Sequence, residues 1–553
     1  MKKLPLFFAL FALAFAGCDE DQDGTPDVLE PTILTVTPAA GAAGSHVTIS
    51  GLNFTASSTV SIGGEHADVS TVGRTAIAVK VPAGLAAGKA EIVVTTNGSH
   101  SDPFPFTVTE KEAEEPEATT FRVTIENVNT PQPFFQSGIF NTPVGATAPG
   151  PALPGDDSAY EFSFYAGPST VPGTTTRLSF ATMFVASNDL FFAPLGSGIT
   201  LYDDHGAPLN GDITDQVFLW DAGTEVNEEP GGLNQPPAQA GPDTGEDENG
   251  VVLLLDSVNR DKNGLVVPNI KTCYPLVHEA IKVTISNEGP KFTVRIYNLS
   301  GNTDVPGPLS PGVYAVHTEP NLLFETGEPD FGDGLEAIAE DGNAGPLGSF
   351  IADRTGLIVP LSPGVWAVHK EDVMPLFTSG EPDRGLGLEG IAEDGSAAEL
   401  GSNLPSVEGV GASAVFNIPV GADMPGPIGP GGSYAFTVTA KPGYNLSLAT
   451  MFVQSNDLIY TFEDNGLPLF KDDQPISGDV TDYVLLYDVA TEVDQFPGAG
   501  LDQVIRQRAP DTGADDDDER VGRVTADGQT PAADGFVYPK TKSIIKVTVS
   551  PEP

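Results

Sequence analysis

Leu178-Ser-Phe-Ala-Thr-Met-Phe-Val-Ala-Ser-Asn-Asp-Leu190 recurs as Leu446-Ser-Leu-Ala-Thr-Met-Phe-Val-Gln-Ser-Asn-Asp-Leu458, with eleven of the thirteen positions identical. Ala181–Val185 is a short apolar run of strand length, and Ser-Asn turns the chain out of it into Asp189. Further matches follow in the same order. Asp212-Ile-Thr-Asp-Gln-Val-Phe-Leu-Trp-Asp-Ala-Gly-Thr-Glu-Val226 returns as Asp479-Val-Thr-Asp-Tyr-Val-Leu-Leu-Tyr-Asp-Val-Ala-Thr-Glu-Val493. Pro242-Asp-Thr-Gly245 returns as Pro510-Asp-Thr-Gly513, and Ile281-Lys-Val-Thr-Ile285 as Ile545-Lys-Val-Thr-Val549. The common order is that of a duplication, with expected units at 120–288 and 290–551. The second unit is longer by a segment, 309–401, that is itself doubled. Leu309-Ser-Pro-Gly-Val-Tyr-Ala-Val-His317 recurs as Leu361-Ser-Pro-Gly-Val-Trp-Ala-Val-His369, and Ile338-Ala-Glu-Asp-Gly342 as Ile391-Ala-Glu-Asp-Gly395. Leu388, Ile391 and Ala392 are spaced for a short helix that Gly395 stops.

The composition agrees with a strand-rich chain. Of 553 residues, 62 are Gly and 49 are Pro, which excludes a helical bundle or coiled coil. With 40% apolar residues there is enough to build cores. Lys and Arg number 26 against 76 Asp and Glu, a net charge of −50. Such a chain repels phosphate backbones, so no nucleic-acid partner is expected. Its carboxylates suit hard divalent cations, Ca²⁺ above all, although most serve solubility.

The N-terminus reads as an address. Lys2 and Lys3 precede an apolar run, Leu4–Phe15, too short to span a bilayer. Phe15-Ala16-Gly17-Cys18 resembles a bacterial lipobox, with Phe15 at the usual Leu position. The resemblance implies a signal peptide at 1–17, lipidation of Cys18, and export to the outer membrane or cell surface, with lipid as the only membrane anchor. Residues 18–30 read as an acidic spacer. Asp19, Asp21, Asp23, Gly24 and Glu30 also fit the calcium-loop pattern D-x-D-x-D-G-x₅-E, and that alternative stays open. Cys273 is the one other cysteine, so no intrachain disulfide is expected.

Residues 31–109 alternate short β-rich runs with turns: Ile33–Thr37, Val47–Ser50, Val60–Ile62, Ala76–Val81, Glu91–Thr95 and Phe106–Val108. Ile49-Ser-Gly-Leu-Asn-Phe54 and Val81-Pro-Ala-Gly84 resemble the immunoglobulin-like IPT/TIG family, which implies a binding or spacing module. Residues 110–119 read as a linker.

Ser187-Asn-Asp-Leu190 and Trp220-Asp-Ala-Gly-Thr-Glu225, with the Ser-Pro-Gly-Val-Trp-Ala-Val-His segment, resemble the spondin N-terminal domain family. Both units carry the motifs. The resemblance implies an all-β chain: an IPT/TIG sandwich followed by two C2-like antiparallel β-sandwiches. It implies extracellular adhesion and a calcium site. Carried over by position, that site is Asp189, Asp221 and Glu225 in the first unit and Asp457, Asp488 and Glu492 in the second. Glu stands where animal members generally have Asp at the third position, and Val489-Ala490 replaces Ala-Gly in the second turn.

Residue chemistry alone leads to a similar place. Three carboxylates at strand ends repel one another unless a cation or hydrogen bonds relieve them. The alternative is that Asp189 and Asp221 cap turns through backbone bonds. The acidic loops 243–248 and 511–519 read as solvated and disordered. Catalytic signatures such as HExxH, GxSxG or a Cys–His pair are not present. His317 and His369 end equivalent strands and read as packed or hydrogen-bonded residues. The expected function is calcium-supported adhesion or binding of an extracellular glycan, matrix-like or cell-surface protein ligand, without enzymatic activity. A glycan-active hydrolase and a structural display spacer are the alternatives.

Overall fold

The computed structural model describes residues 29–111, 117–255, 258–517, 520–524 and 536–553. The signal segment, Cys18 and most of the acidic stretch 19–30 lie outside the described residues. Residues up to 111 belong to one compact unit and residues from Glu117 onward to a second. Among the described residues no helix is long and apolar enough to cross a membrane.

In the first unit, six of the strands lie where the β-rich runs predict them. Thr32–Thr37 pairs with His46–Leu52, and that strand pairs with Ala76–Lys80. Gly88–Thr96 pairs with Thr59–Ile62 and Phe104–Thr109. Val47, Ile49, Ile77, Val79, Ile92 and Val94 alternate inward and form the core. One strand, Glu65–Val72, joins the two sides by pairing with both Thr59–Ile62 and Ala76–Lys80. Its polar sequence hides it from a hydrophobic reading.

The second unit holds two sandwiches of the same design. In the first, Phe134–Phe140, Leu309–His317, Arg177–Phe184, Leu190–Pro194, Val217–Asp221 and Leu253–Leu254 form one sheet in that order. Ala159–Tyr165, Lys291–Asn298, Ile281–Glu288 and Gly211–Asp212 form the opposing sheet. The second sandwich repeats this order. One sheet holds Val410–Phe416, Leu361–Lys370, Tyr444–Phe452, Leu458–Thr461, Leu485–Asp488 and Gly522–Arg523. The other holds Ser433–Ala440, Thr119–Asn127, Ile545–Pro551 and Gly478–Asp479.

These pairings cross the expected division at 288/290. Ile281–Glu288 and Lys291–Asn298 are two arms of one hairpin, with Glu288 opposite Lys291. Strand Thr119–Asn127, expected in the first sandwich, pairs with Ser433–Ala440 and Ile545–Pro551 of the second. Its place in the first sandwich is taken by Lys291–Asn298. The equivalence extends to a buried amide. Asn127 Nδ2 donates to Val359 O and Ile428 O (2.8 and 3.0 Å), and Asn298 Nδ2 to Ala152 O and Gly307 O (2.8 and 2.9 Å).

The doubled segment, expected in the second unit alone, is likewise shared between the two sandwiches. Each copy supplies a central strand and helices to a different sandwich. Leu309–His317 lies between Phe134–Phe140 and Arg177–Phe184, and Leu361–Lys370 between Val410–Phe416 and Tyr444–Phe452. Helices Leu335–Asp341 and Gly345–Ala352 cover the outer face of the first large sheet. Leu388–Asp394 and Ala398–Asn403 cover the second. Gly395 caps the predicted helix at φ +63°. The large sheets are therefore buried on both faces, which is why Leu178–Phe184 is buried at every position without alternation. Trp220 shows the packing: its ring centroid lies 4.8 Å from Phe324, and its Nε1 donates to Ala193 O at 3.0 Å.

Candidate metal centre

Each Ser-Asn-Asp-Leu motif divides one turn into three tasks. Ser187 Oγ donates to Phe184 O (2.6 Å) and accepts from Leu190 N (3.1 Å), tying the end of one strand to the start of the next. Asn188 Nδ2 donates to Val226 O (3.1 Å), while its Oδ1 accepts from Glu228 N (3.1 Å), which anchors the loop beyond Val217–Asp221. Asp189 is left to point inward and is fully buried. Ser455, Asn456 and Asp457 repeat this division.

Asp189 Oδ2 accepts weakly from Thr224 N and Glu225 N at 3.3 and 3.4 Å. Its Oδ1 is buried with no hydrogen-bond partner, and so is Asp457 Oδ1. Asp221 is 2% exposed; it accepts from Gly223 N and from Asn227 Nδ2, both at 2.9 Å. It therefore caps its turn and faces Asp189 as well. Burial, then the neighbouring Asp221, pushes the Asp189 carboxyl well above its usual range, and burial raises Asp221. Asp457 is raised by burial first, then by Asp488 and Asp494.

The structure brings Asp189 and Asp221 together as expected, but the third partner differs. Carboxylate oxygens of Asp189, Asp221 and Glu248 lie within 4.8 Å of one another. In the second sandwich the trio is Asp457, Asp488 and Asp494. Glu225 and Glu492 are not members of these trios. Glu225 joins Asp243 and Glu340 within the same distance. In the second sandwich Glu389, Glu393 and Asp511 lie within the same distance of one another, and Glu492 is not among them. The cause is the chain path: Asp221 precedes the turn, and Glu225 starts an extended segment bridged to Asp247. Glu225 Oε2 accepts from Asn188 Nδ2 at 3.3 Å, which holds its carboxylate beside the Ser-Asn-Asp turn.

The acidic loops expected to be disordered are the structural counterpart of that segment. Val226 N donates to Glu246 O (2.7 Å), Glu248 N to Thr224 O (2.8 Å) and Gly250 N to Gly223 O (2.7 Å). This ribbon delivers Glu248. In the second sandwich Val493 N donates to Ala514 O (2.7 Å) and Asp516 N to Thr491 O (3.2 Å). Within Pro-Asp-Thr-Gly, the glycine allows a close approach: Gly245 N donates to Glu225 Oε1 and Gly513 N to Glu492 Oε1, both at 2.7 Å. A Cβ at either glycine would overlap that carboxylate. Asp494 stands six residues after Asp488, where the first sandwich has Asn227 six after Asp221. Comparing the repeats position by position would have singled out that exchange.

The strand-end histidines are hydrogen-bonded within the protein. His317 Nδ1 donates to Glu319 O (2.6 Å) and Nε2 accepts from Ser179 Oγ (2.8 Å). His369 does the same with Lys370 O (2.9 Å) and Ser447 Oγ (2.8 Å). A carbonyl only accepts, so the proton sits on Nδ1. Cys273 is a free thiol, half buried.

Two concavities lie where the sandwiches meet. A cleft of about 300 Å³ is lined by Phe135, Pro168, His317, Leu357 and Arg506 among others. A groove of about 580 Å³ runs on from it, with Phe135, Tyr165, Tyr314, Phe496, Phe536 and Tyr538 in its walls. Tyr165 and Phe496, from different sandwiches, stack at 4.1 Å. Among the described residues neither lining includes Asp or Glu.

Residues 31–108 match the IPT/TIG domain family. No curated protein matches the chain. Among solved structures, the gamma-CGTase of alkalophilic Bacillus clarkii is similar at 23% identity over 25% of this chain and 24% of its own, with a TM-score of 0.14. An auxiliary nutrient binding protein from Bacteroides thetaiotaomicron is similar at 12% identity over 48% and 58%, TM-score 0.12. SGBP-B from a complex xyloglucan utilization locus in Bacteroides uniformis is similar at 14% identity over 53% and 73%, TM-score 0.13. The chain thus spans about a quarter of the first of these structures and under two thirds of the second.

Proposed function

We propose that this chain is a lipid-anchored surface protein that binds an extracellular glycan, with Ca²⁺ holding the loops at one end of each spondin-like sandwich. The observation that carries the calcium reading is a buried Asp with an unpartnered Oδ1 at the same place in both sandwiches. Ionising a carboxyl there, out of water and with no donor to Oδ1, costs of order 1–3 kcal/mol or more, which is why burial raises the Asp189 carboxyl in the ion-free protein. A cation removes that cost. Turn capping accounts for Asp221 but not for Asp189 Oδ1.

The ligands available are all oxygen, which suits Ca²⁺ with its 6–8 oxygens at flexible geometry and suits Mg²⁺ poorly. Asp189, Asp221 and Glu248 hold the ion in the first sandwich, with the Asn227 amide supporting Asp221. Asp457, Asp488 and Asp494 hold it in the second. Carbonyls and water complete each shell.

The aromatic groove is the seat of the ligand in this reading. The half-buried rings of Phe135, Tyr165, Tyr314 and Phe536, with no carboxylate in the described lining, suit the apolar faces of sugar rings. A hydrolase needs a pair of facing carboxylates, and the described groove and cleft supply none. The lipid anchor rests on Cys18 and the lipobox resemblance.

The test is binding of the Cys18→Ser chain to a panel of neutral and acidic polysaccharides, in Ca²⁺ and in EDTA. At least one polysaccharide should bind, and Tyr165→Ala should weaken it ten-fold or more. Binding to none of them, or binding untouched by Tyr165→Ala, would contradict the assignment.

A further inference from the structure

Arg506 stands in the cleft between the sandwiches without a counter-ion. Basic residues are few in this chain, 26 against 76 acidic ones, so a carboxylate partner is easily had. Arg295 pairs with Glu161, Lys542 with Asp482, Lys546 with Glu126 and Arg523 with Glu463. Arg506 instead donates from Nε to Pro168 O (3.3 Å) and from Nη1 to Gln503 Oε1 (3.0 Å) and Gln454 Oε1 (3.5 Å), all neutral acceptors. Among the described residues its Nη2 has no hydrogen bond, and no Asp or Glu lines the cleft. Burial lowers the guanidinium to about 10, which leaves it charged at neutral pH.

The turn that carries Arg506 does not require an arginine. Arg506 N and Gln507 N donate to Gln503 O at 2.7 and 2.8 Å, as Ala238 N and Gln239 N donate to Gln235 O at 2.8 and 3.0 Å in the first sandwich. Gln507 Nε2 then donates to Asp394 Oδ1 (2.6 Å) and Gln239 Nε2 to Asp341 Oδ1 (2.7 Å). The two turns agree, and Ala238 holds the place of Arg506. The guanidinium reaches across to the first sandwich, where Gly167 leaves room for it: a Cβ there would lie 2.6 Å from Arg506 Nε. Tying the sandwiches together accounts for Nε and Nη1. It accounts neither for the charge nor for Nη2.

We propose that the cleft is the subsite for a uronate unit of the bound glycan, whose carboxylate pairs with Arg506. The inference rests on the reading of the aromatic groove as a glycan seat, and it names the class of sugar. Cleft and groove share Phe135, Gly356 and Leu357, so a chain of rings lying on the groove has a continuous path to Arg506. The planar fork of a guanidinium matches a carboxylate better than an ammonium does. Gln132, Thr170 and Gln454 in the same lining offer amides and a hydroxyl to the sugar hydroxyls. A chain of net charge −50 repels an anionic glycan at a distance, but salt screens that repulsion beyond about 8 Å. The pair in the cleft is partly out of water and is screened far less.

The experiment is calorimetric titration of the full Cys18→Ser chain in Ca²⁺ with trisaccharides of galacturonate, mannuronate and glucuronate, each against its methyl ester, which keeps the rings and removes the charge. At least one acid should bind ten-fold or more tighter than its ester. Arg506→Gln should bring the acid to the affinity of the ester, while Arg506→Lys should keep part of the difference. Thermal melting reports whether each variant folds. Should Arg506→Gln not fold, Thr170→Glu, at an exposed position of the lining, places a carboxylate in the cleft and should abolish the same preference. Esters that bind as tightly as the acids, or a preference for the acid that survives in a folded Arg506→Gln chain, would overturn the subsite. Neutral glycans that bind and are weakened by Tyr165→Ala, with no preference for uronate, would overturn the subsite alone. A preference abolished by Arg506→Gln but untouched by Tyr165→Ala would uphold the subsite and overturn the groove. Binding of no trisaccharide would overturn the subsite.

Discussion

At the level of single residues, the repeats separate chemistry from packing. Asp189 and Asp457 were legible because strand, turn and acid recur together. Glu225 and Glu492 recur as well, yet they stand outside the trios of Asp189 and Asp457, since residue spacing along a turn does not fix the direction of a side chain. Glu248 and Glu340 were not legible, because each reaches its grouping from another segment, whereas Asp494 shows only when the repeats are compared position by position. In the second turn Ala490 sits at φ +54° where the first has Gly223 at +67°. The exchange of Gly for Ala thus leaves an alanine in the left-handed region, a conformation that costs about 1 kcal/mol. His317 gives a prediction on pH. Burial lowers its pKa from 6.5 to about 4. Between those values the unfolded chain takes up a proton that the folded chain does not, so stability falls as pH drops through this window. The full loss is about 3 kcal/mol. His317→Gln should remove that part of the slope, so the stability gap between wild type and variant should shrink from pH 7 to pH 4 in chemical denaturation. A gap that does not change with pH would contradict the buried neutral ring.

At the level of elements, most strands were legible and their partners were not. Val217–Asp221 and Ile281–Glu288 follow from apolar content and turn signals, whereas pairing depends on which hydrophobic face each strand completes. A repeated sequence marks common descent of segments and says nothing of which copy closes which sheet. Thr119–Asn127 illustrates this: its buried Phe121, Val123 and Ile125 are core residues of the second sandwich. Removing residues 117–128 from the chain should open the Ser433–Ala440 and Ile545–Pro551 edges and leave the first sandwich folded. Hydrogen exchange should then show loss of protection in 433–440 and 545–551, with 281–298 unaffected. Equal loss in both sandwiches, or in neither, would contradict the pairing. Polar strands such as Glu65–Val72 escaped the sequence because they are held by edge pairing on both sides and bury only Ala67 fully.

At the level of the whole molecule, the N-terminal strand of the second unit closes its C-terminal sandwich, so the two sandwiches cannot be separated by a single cut. Charge and calcium meet at this scale too. A net charge of −50 opposes compaction, and buried carboxylates concentrate that opposition at the loop end of each sandwich. A cation that binds only the folded chain stabilises it by about 2.7 kcal/mol per site at 100 times its Kd. The direct test is thermal melting of the full Cys18→Ser chain in EDTA and in Ca²⁺, alone and with Asp221→Asn and Asp488→Asn. Ca²⁺ should raise the melting temperature of the sandwiches, Mg²⁺ should do so poorly, and the double variant should lose a large part of the gain while melting normally in EDTA. Identical melting of the wild-type chain in EDTA and in Ca²⁺, with no heat of binding, would reduce Asp189 and Asp457 to buried acids and contradict the account.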